Sequence, residues 1–349
     1  VVDGAVVPRS SREWAASVSR GRLVQGGVMR AVVRDRYGTA DVLRVESLPD
    51  PEPGAGEVVV AVHAASINQW DDHLLTGASW VDRMGASTPK HRVLGSDVAG
   101  EVVAVGPDVD GLRIGDAVVG ELSSYGFGGF AELVRAPESA FVLRPPGVSA
   151  VDGAALPQAG SIARQALVQA GMRTGARVLV NGAGGGAGSY AVQLARASGA
   201  SHTAAVDSAA KLPAVTELGA DRVLDFRADD WTRLDGTYDV VVDFEGWLPL
   251  HRVRRRLDRT GHYVITGGSL GVLARAAAAT PWTAVTPGGR LSVLLWKPHR
   301  RSDLEALLAD VATGRIRAVV DSTYPLERTA AAFARFAGGE FVGKVVVTV

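Results

Sequence analysis

Seven residues in a row, Gly182-Ala183-Gly184-Gly185-Gly186-Ala187-Gly188, carry nothing larger than a methyl group. A strand is expected before them at Arg177–Val180, and an apolar stripe at helical spacing follows over Ala187–Ser198. Such a bare strand-to-helix turn lets a diphosphate approach backbone N–H groups at the helix start, where the helix dipole favours an anion. Several registers fit, and the favoured one is Ala183-x-Gly185-x-x-Gly188, with Gly184 and Gly186 adding room. Asp207 comes 19 residues after Gly188, at the end of the next expected strand, Thr203–Val206, where an acid meets the adenosine ribose. The chemistry implied is dinucleotide binding. Asp207 favours a free 2′-hydroxyl and hence NAD, whereas Ser208 and Lys211 could hold a 2′-phosphate and hence NADP. Ser208 could equally be the cap of a helix starting at Ala209.

The elements that must position this turn come in two styles. From Met29 to about Val151 short β runs such as "EVVVAVHAASI" and "DVAGEVVAVG" are cut by Gly- and Pro-rich turns. Strands and helices then alternate. Further strands are expected at Arg222–Leu224, Val240–Asp243, His262–Thr266 and Leu291–Leu295, with helices filling the gaps, for example at Ser161–Gly171, Ala209–Leu218 and Ser302–Thr313. This alternation predicts an α/β, doubly wound parallel sheet. The tail, 319–349, returns to strand, helix, strand and is expected to fold back on the first part. Residues 1–28 are rich in Arg, Ser and Gly, without a clear period, and are expected to be partly disordered. They read either as an acid-poor targeting leader or as a stretch upstream of a start at Met29.

Composition narrows the function classes. The formal net charge is zero, which gives no electrostatic footprint for nucleic acid or an anionic membrane surface. No apolar run approaches the ~18–20 residues of a transmembrane helix. With no cysteine there is no disulfide, thiolate nucleophile or Cys-based metal site, which is compatible with a cytoplasmic location. Basic residues are nearly all Arg, and Lys occurs only at 90, 211, 297 and 344.

Seven stretches carry a resemblance: "MRAVVRDRYG", "HAASINQWDDHLLTG", "PKHRVLGSDVAGEVVAVG", "GGFAEL", "VLVNGAGGGAGSYAVQLA", "ELGADRVLDF" and "TYPLERTAAAFARFAGGEFVGKVVVTV". From Met29 to the C-terminus the chain resembles the zinc-independent medium-chain dehydrogenase/reductases, the quinone oxidoreductase and enone reductase group. The resemblance covers over nine-tenths of the sequence. It implies a Rossmann sheet (152–300) inserted in a GroES-like β-rich catalytic domain (29–151 plus 301–349), with the active site in the cleft between them. By motif matching, Asn68, Ser96 and Gln158 stand where zinc-dependent relatives place their metal ligands. None is a good zinc ligand, so no zinc is expected.

Without a Lewis acid, conjugated acceptors are easier to reduce than simple ketones, because the developing charge is delocalised and a few hydrogen bonds can support it. The resemblance therefore implies an NADPH-dependent reductase of quinones or α,β-unsaturated carbonyls, with NADH possible because of Asp207. It puts Asn68 near the acceptor carbonyl and His73 where many relatives have Tyr, able to donate a hydrogen bond or a proton. Asn68 could also be a turn residue holding its own backbone, and His73 a packing histidine. Phe244 is expected near the cofactor path and Gly267 and Gly268 against the nicotinamide half, with Trp70, Trp296 and Tyr125 as aromatic walls. Ile162 and Phe244 depart from the family pattern. Two alternatives therefore stay open: a dedicated enoyl reductase of a biosynthetic pathway, or a non-catalytic nucleotide-binding sensor or assembly protein. "GRLSVLLW" (289–296) reads as an apolar sheet edge through which two copies would pair.

Overall fold

The computed structural model describes residues 27–349 apart from Val81, Met84, Trp247, Leu248 and His299. Residues 1–26 of the expected N-terminal extension lie outside the described residues.

Six parallel strands form one sheet in the spatial order Arg222–Asp225, His202–Asp207, Arg177–Asn181, Tyr238–Asp243, Leu257–Ile265, Arg290–Val293. Numbered along the chain this is 3-2-1-4-5-6, the Rossmann order. The direction of winding reverses between Arg177–Asn181 and Tyr238–Asp243, which opens a crevice at the carboxyl ends of those two strands. Their interiors are Val and Leu with no exposed face, as strands covered by helices on both sides must be.

The second sheet is mixed and seven-stranded. Its order is Val320–Pro325, Lys344–Thr348, Glu57–Ser66, Asp97–Val105, Ala117–Glu121, Phe141–Leu143, with Leu133–Pro137 also paired to Glu57–Ser66. The C-terminal strand Lys344–Thr348 thus lies antiparallel beside Glu57–Ser66, pairing Val346 with Ser66. This confirms the expected α/β architecture, a GroES-like β-rich part combined with a Rossmann-type sheet.

Several elements differ from the expectation in their limits. The helix expected at Ser161–Gly171 runs Pro157–Gln169, because Pro157 sits in its first turn, where a missing N–H costs nothing. The edge strand stops at Val293 rather than Leu295. The Leu294 N–H still reaches Ile265 O, but the Leu295 N–H turns to Gln169 Oε1. Helix Leu270–Val285 has no amphipathic stripe to announce it: only Ala276 and Thr283 are buried, and Pro281 interrupts its run. Among the described residues no helix is long and apolar enough to cross a membrane.

Candidate functional site

The glycine run is built as a turn that only small residues can form. Gly182 takes a left-handed φ of 79°, and the N–H groups of Gly182 and Ala183 both donate to Val206 O, at 2.9 and 3.1 Å. Gly188 is required by contact: a Cβ there would lie 2.0 Å from Gly182 O and 2.7 Å from Ala183 Cα. Helix Gly186–Ala197 follows, and its first intrahelical bond runs from Ser189 N–H to Gly185 O. The amides of Gly186, Ala187 and Gly188 therefore have no intrahelical acceptor. Residues 185–187 are also the half-exposed part of a loop whose flanks are buried. Free N–H donors at a helix start, at the switch point of the sheet, are an arrangement that can take an anion.

Asp207 braces this loop. Its Oδ2 accepts the Gly184 N–H at 2.7 Å and its Oδ1 the Ser208 N–H at 2.7 Å. Lys211 Nζ lies 3.8 Å from Asp207 Oδ1 and 5.3 Å from the centre of the Phe341 ring. Across the crevice, Asp243 fixes the neighbouring loop by accepting from Asn181 Nδ2, the Glu245 and Gly246 N–H groups and the Tyr263 hydroxyl, at 2.8–2.9 Å. Phe244 and Gly267 touch backbone to backbone: a Cβ on Gly267 would stand 1.7 Å from Phe244 O. Gly268 follows with φ 101°.

Asn68 lies at the start of helix Gln69–Thr76 and is 4% exposed. Its N–H donates to Asp71 Oδ2 at 2.9 Å, while Asp71 Oδ1 accepts the Gly95 N–H at 3.0 Å. Asp71 thereby ties the helix to the loop before strand Asp97–Val105. Burial pushes its carboxyl up to about 7, with the Asn68 and Gly95 N–H groups holding it back. Arg34 secures the same helix from below, donating to Leu74 O and, at 3.2 Å, to His91 O.

The Asn68 side chain joins a buried polar cluster. Nδ2 donates to Ser96 Oγ at 3.1 Å, and Oδ1 accepts from Lys344 Nζ. Lys344 also donates to Ile67 O at 2.9 Å and lies 4.0 Å from Asp97 Oδ2. Asp97 Oδ2 accepts the Gln158 N–H at 3.0 Å. The three positions matched to metal ligands, Asn68, Ser96 and Gln158, are thus brought together, the last through Asp97. Burial presses Lys344 down and Asp97 up, each held back by the other's charge. Glu121, paired with Asp97 across the sheet, is pushed up to about 8 by burial and then by the Asp97 charge.

Lys344 connects this cluster to the glycine loop. Gly343 N–H donates to Gly184 O at 2.9 Å, and Lys344 Cδ lies 3.2 Å from where a Gly186 Cβ would stand. His73 lies outside the cluster contacts, with its Nδ1 3.6 Å from Asp82 Oδ1 and its ring edge-on to Trp70. Trp296 donates to Ser161 Oγ at 3.1 Å, on the helix that carries Gln158. Tyr125 places its hydroxyl 3.5 Å from Ser139 Oγ, and Ile162 is half-buried one residue beyond Ser161.

Sequence reasoning missed Lys344, Asp97, Asp71 and Glu121 as parts of the site. Two signals pointed to them. Lys344 is one of four lysines in an Arg-dominated chain, set in a run of valines, and Asp71 sits three residues after Asn68, at the capping-box position.

Residues 54–146 match the alcohol dehydrogenase GroES-like domain and residues 218–347 the zinc-binding dehydrogenase family. The chain is 35% identical to quinone-oxidoreductase QR1, chloroplastic, of Triphysaria versicolor, over 92% of this chain and 99% of that protein. It is 32% identical to the 2-methylene-furan-3-one reductase of Solanum lycopersicum, over 98% and 84%. The solved quinone oxidoreductase from Coxiella burnetii superposes with a TM-score of 0.83 at 27% identity, covering 92% of this chain and 99% of that one. With the sheet order, the glycine turn and these similarities in agreement, the chain belongs to the medium-chain dehydrogenase/reductase superfamily of oxidoreductases.

Proposed function

We propose that this chain binds NADPH, with NADH the weaker alternative, and reduces quinones or α,β-unsaturated carbonyls without a catalytic zinc. The observation that carries the reading is the link through Lys344, which ties a nucleotide cradle to a single oriented amide, Asn68. The names of the two curated relatives above point the same way.

A zinc ion, as the family description implies, does not suit these residues. Asn68 and Gln158 offer neutral amides and Ser96 a hydroxyl, and the Lys344 ammonium in contact with Asn68 Oδ1 repels a cation at that oxygen. Among the described residues no His, Cys, Asp and Glu group is arranged as a metal site.

The amides of Gly186, Ala187 and Gly188 would hold the diphosphate, and Lys211 the 2′-phosphate, since both Asp207 oxygens already brace the loop. Phe244, Gly267 and Gly268 would bound the nicotinamide half. When bound, the reduced nicotinamide supplies the hydride. The chain's own task is then to steady negative charge on the acceptor oxygen, and Asn68 Nδ2, which meets Ser96 and the Asp97 carboxylate, would turn an N–H from one of them to do it. One such donor suits an enolate or a hydroquinone anion, whose charge is delocalised. Solvent or His73 supplies the proton.

The test follows NADPH oxidation with 1,4-benzoquinone, a 2-alkenal and the matching saturated aldehyde. Turnover of the first two and not the third is expected. NADPH binding without reduction across a broad panel of conjugated acceptors would overturn the reading. We also propose that two copies pair along the edge strand Arg290–Val293, where Leu295 is 79% exposed just beyond; light scattering of a single-chain particle would refute this.

A further inference from the structure

Side chains of opposite charge stand over the first half of the glycine run. A Cβ on Gly184 would lie 2.8 Å from Lys211 Cδ and 3.1 Å from Asp207 Oδ2. A Cβ on Gly182 would lie 3.1 Å from Glu245 Cγ and 3.2 Å from its Oε1. Glu245 belongs to the loop after strand Tyr238–Asp243, so it reaches the run from the opposite wall of the crevice. An adenosine ribose seated beside Asp207 would have Lys211 on one side and Glu245 on the other.

Asp207, Asp243 and Glu245 are not equivalent as acceptors. Both Asp207 oxygens accept loop N–H groups, from Gly184 and Ser208. Asp243 is fully buried and accepts from Asn181, Tyr263 and the N–H groups of Glu245 and Gly246. The Glu245 carboxylate has no hydrogen bond or ion pair among the described residues, and part of the residue stays exposed. Partial burial, then the Asp207 and Asp243 charges, push that carboxyl up, while the Lys211 ammonium holds it back. A group that feels both Asp207 and Lys211 also feels a phosphate placed between them.

We infer that Glu245 sets how far the site separates the two nucleotides: its carboxylate opposes the 2′-phosphate that Lys211 attracts, and accepts a ribose hydroxyl in its place. A carboxylate only accepts, so a hydroxyl suits it, whereas a phosphate of about −1.5 to −2 charge is repelled. Lys211 and Glu245 thus pull in opposite directions, which leaves NADH a place in the site. This role rests on the nucleotide reading above and not on which acceptor is reduced.

The test is direct binding of NADPH and NADH to the full chain and to Glu245→Gln, read by nucleotide fluorescence. The carboxylate braces no part of the loop, so the variant should melt as the parent does. It is expected to bind NADPH about three- to tenfold more tightly and NADH within about twofold of the parent. Glu245→Lys should carry the gain for NADPH further, because it turns repulsion into attraction. Displacement by adenosine 2′,5′-bisphosphate and by AMP locates the effect, and only the first should gain in Glu245→Gln. An unchanged ratio, whether neither nucleotide gains or both gain equally, overturns the inference and leaves the nucleotide site standing. A wild-type protein that binds neither nucleotide sinks the site itself and the inference with it.

Discussion

Gly185→Ala separates what the bare loop does for folding from what it does for a ligand. A Cβ at Gly185 would meet only Gly182 O, at 3.4 Å, an ordinary contact, and otherwise open space. The residue has φ −74° and ψ 177°, which alanine adopts without strain. Stability should hold or rise by up to about 0.4–1 kcal/mol, because alanine restricts the unfolded chain. The new methyl, however, stands at the N-terminus of helix Gly186–Ala197, in the half-exposed stretch that offers the free amides. Losing one charge-assisted hydrogen bond, worth about 1.5–3 kcal/mol, gives an expected loss in NADPH affinity of about 10–10²-fold. Gly188→Ala is the contrast. Its Cβ would sit 2.0 Å from Gly182 O, a backbone atom with no flexible end to give way, so about 3 kcal/mol of stability should go together with binding. Thermal melts and fluorescence titration of both variants decide the matter. A Gly185→Ala protein that binds NADPH as tightly as the parent would refute the cradle.

Other substitutions test the remaining contacts. Lys211→Ala should weaken NADPH by about tenfold and NADH much less, in parallel titrations, because only a 2′-phosphate calls on that ammonium. Glu121→Gln should flatten the pH dependence of stability. The folded carboxyl titrates at about 8, above its unfolded range, so the native state binds the extra proton and stability falls as pH rises from about 5 to about 8. The parent should lose a few kcal/mol over that window and the variant less, read from denaturant midpoints at each pH. His73→Gln should leave kcat within about threefold, since the ring is directed at Asp82; a tenfold loss with an altered pH profile would make His73 the proton donor.

Local pattern alone disclosed the alternating strands, the glycine turn and the acid at 207. Each rests on physics contained within a few residues: the period of side chains along a strand, the absence of Cβ atoms at a turn, a cap beside its helix. Helix Leu270–Val285 fills a gap between two expected strands, but its limits were not legible, because its composition has no polar face to contrast with an apolar one.

The buried cluster escaped for a different reason. Asn68, Ser96, Asp97, Gln158 and Lys344 come from four separate stretches, and Lys344 Nζ meets Asn68 276 residues away. Whether an ammonium lies in solvent or under a helix depends on which strand the C-terminal segment joins. Pairing of Lys344–Thr348 with Glu57–Ser66 settles that, and it is a long-range choice. The glycine turn and the acid that braces it were therefore written in the sequence. The buried surroundings of the Asn68 amide were decided only by the tertiary fold, because one of its partners, Lys344, reaches it from the far end of the chain.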